Sequence, residues 1–347
     1  MMDQARLAEL LEAFGSRRIA VVGDFFLDRY LDFDPELAEV SLETGKTANQ
    51  VVGVRHSPGA AGTVVCNLAA LQAGTVLTLG FTGDDGEGYE LRQDLTRLGC
   101  ATEHLFVVPD RRTPTYLKPR NVRVPGLEGE AERYDTKNRD PLPPEVESRI
   151  ICSLEQVAPG AHAVIVMDQV EEEGCGVVTA AVREHIAGLA RRNSAVVFWA
   201  DSRRRIGAFS NVIIKPNAQE AVAAAFGEYS GPVDNETVRR AGRVLSSKSG
   251  KAVFVTRSEC GMLVFEGDSE HEVAGVPVEG PIDPTGAGDS ATAAAVLTLA
   301  SGGSCVEAAL MANLVASITV QQIGTTGTAR PDELPARLEM WLAQAGS

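Results

Sequence analysis

The segment Asp283-Pro284-Thr285-Gly286-Ala287-Gly288-Asp289-Ser290 concentrates the residue types most suited to chemistry. A run of small residues from Ala291 to Ala300 follows it, then Gly302-Gly303, so the pattern predicts a tight turn that opens a helix and a glycine stop that ends it. Backbone N–H groups at such a turn can approach an anion closely, and the helix start adds partial positive charge. A carboxylate inside an anion site is a poor phosphate ligand. As a base it is well placed: Asp289 can accept a hydroxyl proton while the amides of Gly286, Ala287 and Gly288 hold charge developing on a transferring phosphoryl group. The competing reading is an acid that merely occupies the first turn of a helix, where acids are favoured.

Other candidates lie at predicted strand ends. Asp24 and Asp28 follow the first apolar run and could attract a divalent ion. Hydroxyl recognition suits them better, because ionised carboxylates only accept hydrogen bonds and a sugar offers several O–H donors. Asp24 alone also reads as an acceptor for backbone N–H groups at the turn. Asp168 ends the run through Met167, where ligands collect in open α/β sheets, and takes a sugar-side expectation. Asn217 and Glu220 stand three apart at a predicted helix start; a capping box explains that spacing, and ordering of a magnesium ion through water is the functional alternative. Lys118, Arg133 and Arg203 are weaker candidates, since charged loop residues are usually solvated. Gly45-Lys46-Thr47 invites a phosphate-loop reading, but the glycine required five residues earlier is Val40, and the segment reads as a loop.

The elements that must position these residues follow from hydrophobic periodicity. Short apolar runs at 19–22, 76–79, 163–167, 196–200, 212–214, 252–255 and 262–265 predict strands. Helical spacing lies between most of them, as in Leu91, Leu95 and Leu98, or Val177, Val178, Ala181 and Ile186. Strands alternating with helices predict an α/β fold with a doubly wound, mainly parallel sheet. Leu7, Leu10, Leu11 and Phe14 predict an amphipathic helix before the first strand. Two stretches, about 30–57 and 110–140, are too long for ordinary connections and are expected to fold together as a small β-rich lid inserted into a single domain spanning 1–347.

Composition narrows the function classes. With 347 residues, 44% hydrophobic and 23% charged, the chain is an ordinary globular one. A net charge of −15 with no basic run disfavours a nucleic-acid partner. No apolar segment reaches the roughly 18 residues of a membrane span. The six cysteines form no CxxC pair, which points to a reducing compartment and a cytoplasmic location.

The motifs together resemble the PfkB, or ribokinase-like, carbohydrate kinases. Residues 283–289 match that family's (D/N)xxGAGD signature, Gly23 to Asp28 look like its GDxxLD element, and Gly83 to Gly88 are similar to its GDDxxG. Pro58-Gly59-Ala60-Ala61-Gly62 resembles its substrate turn, Asn217 to Glu220 its NxxE motif, and Thr256 to Gly261 its TxGxxG nucleotide segment, with Arg257 as a departure. The resemblance spans about 17 to 330. It implies an ATP-dependent kinase acting on a sugar or sugar phosphate, with ATP, Mg2+ and a monovalent cation as cofactors and a homodimer through the lid. It further implies that Asp28, Asp24, Gly59, Ala60 and Thr63 contact the sugar, that Thr256, Ser258, Gly261 and Asn313 join Asn217 and Glu220 at the nucleotide, and that Asn217 and Glu220 order magnesium. GDFFLDRY (23–30) and VTRSECGM (255–262) look most like bacterial kinases of heptose 7-phosphate. The substrate turn departs from the family at Ala60, where a second glycine is usual, and at Thr63, where Asn is expected. A nucleoside kinase of the same fold and a non-catalytic sugar-binding regulator are the alternatives.

Overall fold

The structure, a computed structural model, describes residues 2–345. Helix α1 (Gln4–Phe14) buries Leu7, Leu10 and Phe14 and is capped by Asp3, whose side chain accepts the Arg6 N–H. The strands that follow are β1 (Arg18–Gly23), β2 (Phe25–Val40), β3 (Thr47–Ala60), β4 (Thr75–Gly83), β5 (Ala101–Val108), β6 (Thr115–Asn121), β7 (Tyr134–Thr136), β8 (Ala163–Asp168), β9 (Val197–Ser202), β10 (Ile213–Ile214), β11 (Val253–Thr256), β12 (Met262–Glu266) and β13 (Ser269–Val273). The further helices are α2 (Ala61–Ala70), α3 (Gly86–Arg97), α4 (Pro144–Val157), α5 (Ala180–Arg192), α6 (Ala218–Phe226), α7 (Asn235–Ser249), α8 (Ala287–Ala300), α9 (Cys305–Thr319) and α10 (Leu334–Ala345).

Among the described residues a nine-stranded sheet runs in the order β13, β12, β11, β10, β9, β8, β1, β4, β5. Every pairing from β11 to β5 is parallel, and only the β11–β12 and β12–β13 pairs are antiparallel. All seven apolar runs fall in this sheet. Strands β5 and β13 were not legible as apolar runs, because their exposed faces interleave polar residues. The chain builds outward from β1 through β4 and β5, then returns to β8 on the other side of β1, so the switch point lies between β1 and β8.

Alternation along each buried strand divides the core in two. Ile19, Val21, Ile165 and Met167 face one cluster with residues of α1, α2, α3, α8, α9 and α10, while Ala20, Val22, Val164 and Val166 face another with residues of α4, α5, α6 and α7. Helix α8 has no polar face; Ser290 to Thr298 are all buried, and small side chains let α2 and α9 pack closely on it. Its end is marked by Gly302 at φ 83°.

A separate four-stranded sheet runs β3, β2, β6, β7. Strand β2 pairs antiparallel with β3 and parallel with β6, so the two long stretches meet in one sheet. Gly45-Lys46-Thr47 sits at the tip of the β2–β3 hairpin, where Gly45 N–H donates to the Ser41 carbonyl. Asp85 fastens this sheet to the larger one: its carboxylate accepts from Gly88 N, Thr113 N and Thr113 Oγ1 at 2.8, 2.8 and 2.6 Å.

Candidate active site

Gly286 is the N-cap of α8 and lies in the left-handed region, φ 78°, which a side chain would strain. A Cβ there would also stand 3.3 Å from Thr63 Cγ2 and 3.4 Å from Thr326 Cγ2. Asp283 holds the turn by accepting from Thr285 N and Gly324 N, both at 3.0 Å. Ala287 N–H, expected from the sequence to join the donors facing a phosphoryl group, is instead used within the turn, on the Pro284 carbonyl. The amides of Gly286, Gly288 and Asp289 have no acceptor among the described residues, so the helix start offers free donors to the cleft.

The Asp289 carboxylate, half-buried in the first turn of α8, accepts no hydrogen bond from the described residues. Its pKa is pushed up to about 7, first by desolvation and then by the negative charge of Asp201, with Lys215 opposing. Lys215, buried between β10 and α6, places Nζ 2.8 Å from Asp201 Oδ2 and 3.6 Å from the point where a Gly288 Cβ would lie. Burial lowers the affinity of that ammonium for its proton, but the Asp201 carboxylate outweighs it and the net shift is upward. Sequence reasoning missed Lys215. Its signal was a basic residue inside an otherwise apolar strand end, two positions before Asn217.

Asp28 comes to the same cleft from β2 and is 5% exposed. Its carboxyl lies 3.1 Å from where a Cβ of Gly59 would stand, which explains a glycine at 59. Oδ1 is buried and has no hydrogen-bond partner among the described residues. Burial raises its pKa, partly offset by Lys118, and its charge reaches Asp289. Thr63, buried in the first turn of α2, has its carbonyl held by Asn67 Nδ2, while its hydroxyl has no partner among the described residues. Ala60 occupies φ 53°, ψ −118°, a conformation glycine adopts far more easily.

Asn217 and Glu220 form a reciprocal capping box, Asn217 Oδ1 accepting the Glu220 N–H at 2.9 Å and Glu220 Oε2 accepting the Asn217 N–H at 2.8 Å. Glu220 keeps Oε1 free and its pKa is raised, chiefly by burial. A bridge between Asn217 and Thr256 sets the nucleotide segment beside them. Gly261, φ 81°, admits no side chain, since a Cβ would meet the Val273 carbonyl at 2.2 Å. Ser258 lies at φ 50°. Arg257 turns to Asn235, Glu272 and the Cys260 carbonyl, knitting that segment to α7 and β13.

Three residues expected to bind ligands have their polar groups engaged within the protein. Asp24 accepts Gln169 N at 2.8 Å and Val170 N at 2.9 Å on one oxygen and Val177 N at 2.7 Å on the other, so its carboxylate ties β1 to the segment after β8. Its pKa rises to about 6 through burial and the nearby Asp168 charge. Asp168 is taken by Arg205 at 2.6 and 3.1 Å and by Ser202 Oγ at 2.6 Å. The Asn313 side-chain amide donates to the Val273 and Ala274 carbonyls at 3.1 and 3.0 Å, which commits both its protons. In each case backbone groups or a half-buried cation already use the group.

With this geometry, comparison with known proteins is decisive at the level of family. The model for pfkB family carbohydrate kinases matches residues 16–332. The chain belongs to that family. Among curated relatives it is similar to the bifunctional protein HldE of Trichlorobacter lovleyi, 30% identical over 98% of this chain and 66% of that protein. It is likewise 30% identical to HldE of Granulibacter bethesdensis, over 96% of this chain and 67% of that protein. The chain thus spans about two thirds of the length of the curated relatives it matches. Escherichia coli phosphofructokinase-2 in complex with fructose-6-phosphate shares the fold, with TM-score 0.67 and 18% identity over 95% of this chain and 99% of that one. So does Arabidopsis thaliana ribokinase complexed with ribose and ATP, TM-score 0.64 and 18% identity over 94% and 98%.

Proposed function

We propose that the chain transfers the γ-phosphate of ATP to a hydroxyl of a sugar or sugar phosphate, with Asp289 as the base. One observation carries the reading: a carboxylate that accepts no hydrogen bond from the described residues stands beside unpartnered helix-start amides, within electrostatic reach of a second such carboxylate, Asp28, whose nearest cation is Lys118 at 3.6 Å. Asp28, Gly59 and Thr63 hold the acceptor sugar. Asp289 takes the proton of the attacked hydroxyl, and a carboxyl with a pKa near 7 is matched to that task at neutral pH. The amides of Gly286, Gly288 and Asp289 hold the charge developing on the phosphoryl oxygens, and Lys215 adds a cation behind Gly288.

Asn217, Glu220, Thr256, Ser258 and Gly261 form the nucleotide side. The described residues contain no cluster of three or more His, Cys, Asp or Glu able to cage a metal. The donor set fits magnesium in its usual mode, with phosphates and waters as ligands and Glu220 Oε1 and Asn217 acting on those waters. Magnesium, when bound, neutralises phosphate charge. A monovalent cation remains an expectation, supported by the potassium complex of the E. coli phosphofructokinase-2 neighbour.

The charge of Arg133 reaches Tyr116 and Asp28 and that of Arg203 reaches Tyr116 and Asp289, which suits an acceptor that already carries a phosphate, in competition with Asp135, which holds Arg133 at 2.7 and 2.9 Å, and Glu171, which pairs with Arg203 at 3.3 Å. The resemblance of 23–30 and 255–262 to heptose kinases agrees with such an acceptor. We read 1–347 as one domain whose small sheet, from about 30–57 and 110–140, acts as a lid that closes on the sugar and excludes water. Its edge strand β3 exposes Val51, Val52 and Val54, which supports pairing with a second copy at the lid. No helix among the described residues is long and apolar enough to cross a membrane, and a cytoplasmic site of action is part of the proposal.

A panel of fructose 6-phosphate, heptose 7-phosphates, ribose and adenosine, assayed for ADP formation with magnesium and ATP, tests this reading. Turnover with a sugar or sugar phosphate is expected. Preference for adenosine would make the chain a nucleoside kinase, and ATP binding without turnover of any acceptor would make it a regulator.

A further inference from the structure

Strand alternation places Asp28, Tyr30 and Asp32 of β2 on one face of the small sheet, in register with Tyr116, Lys118 and Arg120 of β6. Lys118 is therefore a strand residue and not the solvated loop lysine its sequence context predicts. It is 7% exposed, with its stem buried against the sheet. Its Nζ lies 3.6 Å from Asp28 Oδ1, too long for a hydrogen bond, and makes one long contact of 3.4 Å to the Tyr30 hydroxyl. It also sits 5.0 Å from the centre of the Tyr30 ring, which Arg55 approaches to 4.7 Å. Burial of such a pair is costly unless its hydrogen bonds are completed.

Across that 3.6 Å gap, an ammonium with spare donors faces a buried carboxylate oxygen with no donor. One oxygen at about 2.8 Å from each would complete both, provided that it can accept from nitrogen and donate to oxygen. A hydroxyl does both. A carbonyl cannot donate, and a phosphate dianion cannot donate and would be repelled by Asp28. Resting on the kinase reading above, we propose that Lys118 is a specificity-determining residue that, together with Asp28, receives a single hydroxyl of the acceptor sugar. The phosphate of a phosphorylated acceptor then lies elsewhere.

The test takes whichever acceptor of the panel turns over fastest, its monodeoxy analogues, and the Lys118→Met protein, which keeps an apolar stem without the charge. Lys118→Met should lower kcat/KM for the acceptor by about 10- to 100-fold, the range for a buried hydrogen bond to a charged group. KM for ATP should change less than about threefold. One deoxy analogue should lose a similar factor with the wild-type protein and lose little more with Lys118→Met, because the same interaction is already gone. Lys118→Met unchanged toward the acceptor, or equally damaging for every deoxy analogue, overturns the proposal while the kinase reading stands. Calorimetry supplies the second readout: if no panel sugar binds or turns over while ATP binds, the kinase reading itself has failed and this proposal falls with it.

Discussion

Two pairs of acids, Asp24 with Asp168 and Asp28 with Asp289, are used in opposite ways. At the switch point between β1 and β8, Asp24 and Asp168 have every oxygen engaged by backbone N–H groups, Ser202 or Arg205. In the cleft between the two sheets, Asp28 and Asp289 receive no hydrogen bond from the described residues. The first pair holds the strand ends together. The second pair stays available, at a cost that burial sets and that a ligand can relieve. Residue type and position do not separate these groups; saturation of their hydrogen bonds does.

The comparison can be broken most forcefully at Asp168. Asp168→Asn leaves the half-buried guanidinium of Arg205 without its buried carboxylate, although the Val170 and Glu171 carbonyls remain its acceptors. Loss of one partner from a buried pair costs roughly 3–5 kcal/mol, so urea unfolding should report a drop of that order. Turnover of the folded fraction should change little; a lost activity with unchanged stability would place Asp168 in the substrate pocket after all.

Asp289→Asn should act in the other direction on stability. The folded pKa of about 7 lies above the ordinary 3.8, so the folded state binds a proton that the unfolded state releases, and the wild type loses stability as pH rises through that window. Asn cannot ionise and escapes that loss. The variant's advantage should be absent below about pH 4, grow through the window to about pH 7 and level off above it. Melting temperatures from pH 4 to 8 check this, and a variant destabilised at pH 8 would favour a helix-start role for the acid.

The smallest effect is expected at Ala60, where φ 53° strains a side chain. Ala60→Gly should stabilise the chain by about 1 kcal/mol, the lower end of the cost of such a conformation. Unchanged or lower stability in urea would mean that the surrounding turn relieves the strain.

The sheet was legible because β1, β4 and β8 to β12 are buried on both faces and read as continuous apolar runs. The edge strands β5 and β13 escaped notice for the converse reason. The union of two long stretches in one small sheet was legible from their length, but the register that sets Lys118 opposite Tyr30 was not, since pairing of distant strands leaves no local pattern. At the site, the glycines of 286–288 announced themselves through their type. Asp24, Asp168 and Asn313 gave no local sign of their engagement, because their partners lie far away in sequence: backbone groups for Asp24 and Asn313, the side chains of Ser202 and Arg205 for Asp168. Lys215 was missed because a single lysine in an apolar segment is visible only once Asp201 and Gly288 are brought to it.

The claim that an unpartnered carboxylate at the start of α8 serves the reaction is tested most directly by the rate of Asp289→Asn. With the best acceptor at saturation, kcat should fall about 10²- to 10⁴-fold, roughly 3 to 5 kcal/mol of barrier, while calorimetric ATP affinity changes by less than about tenfold. Turnover equal to that of the wild type would contradict the account.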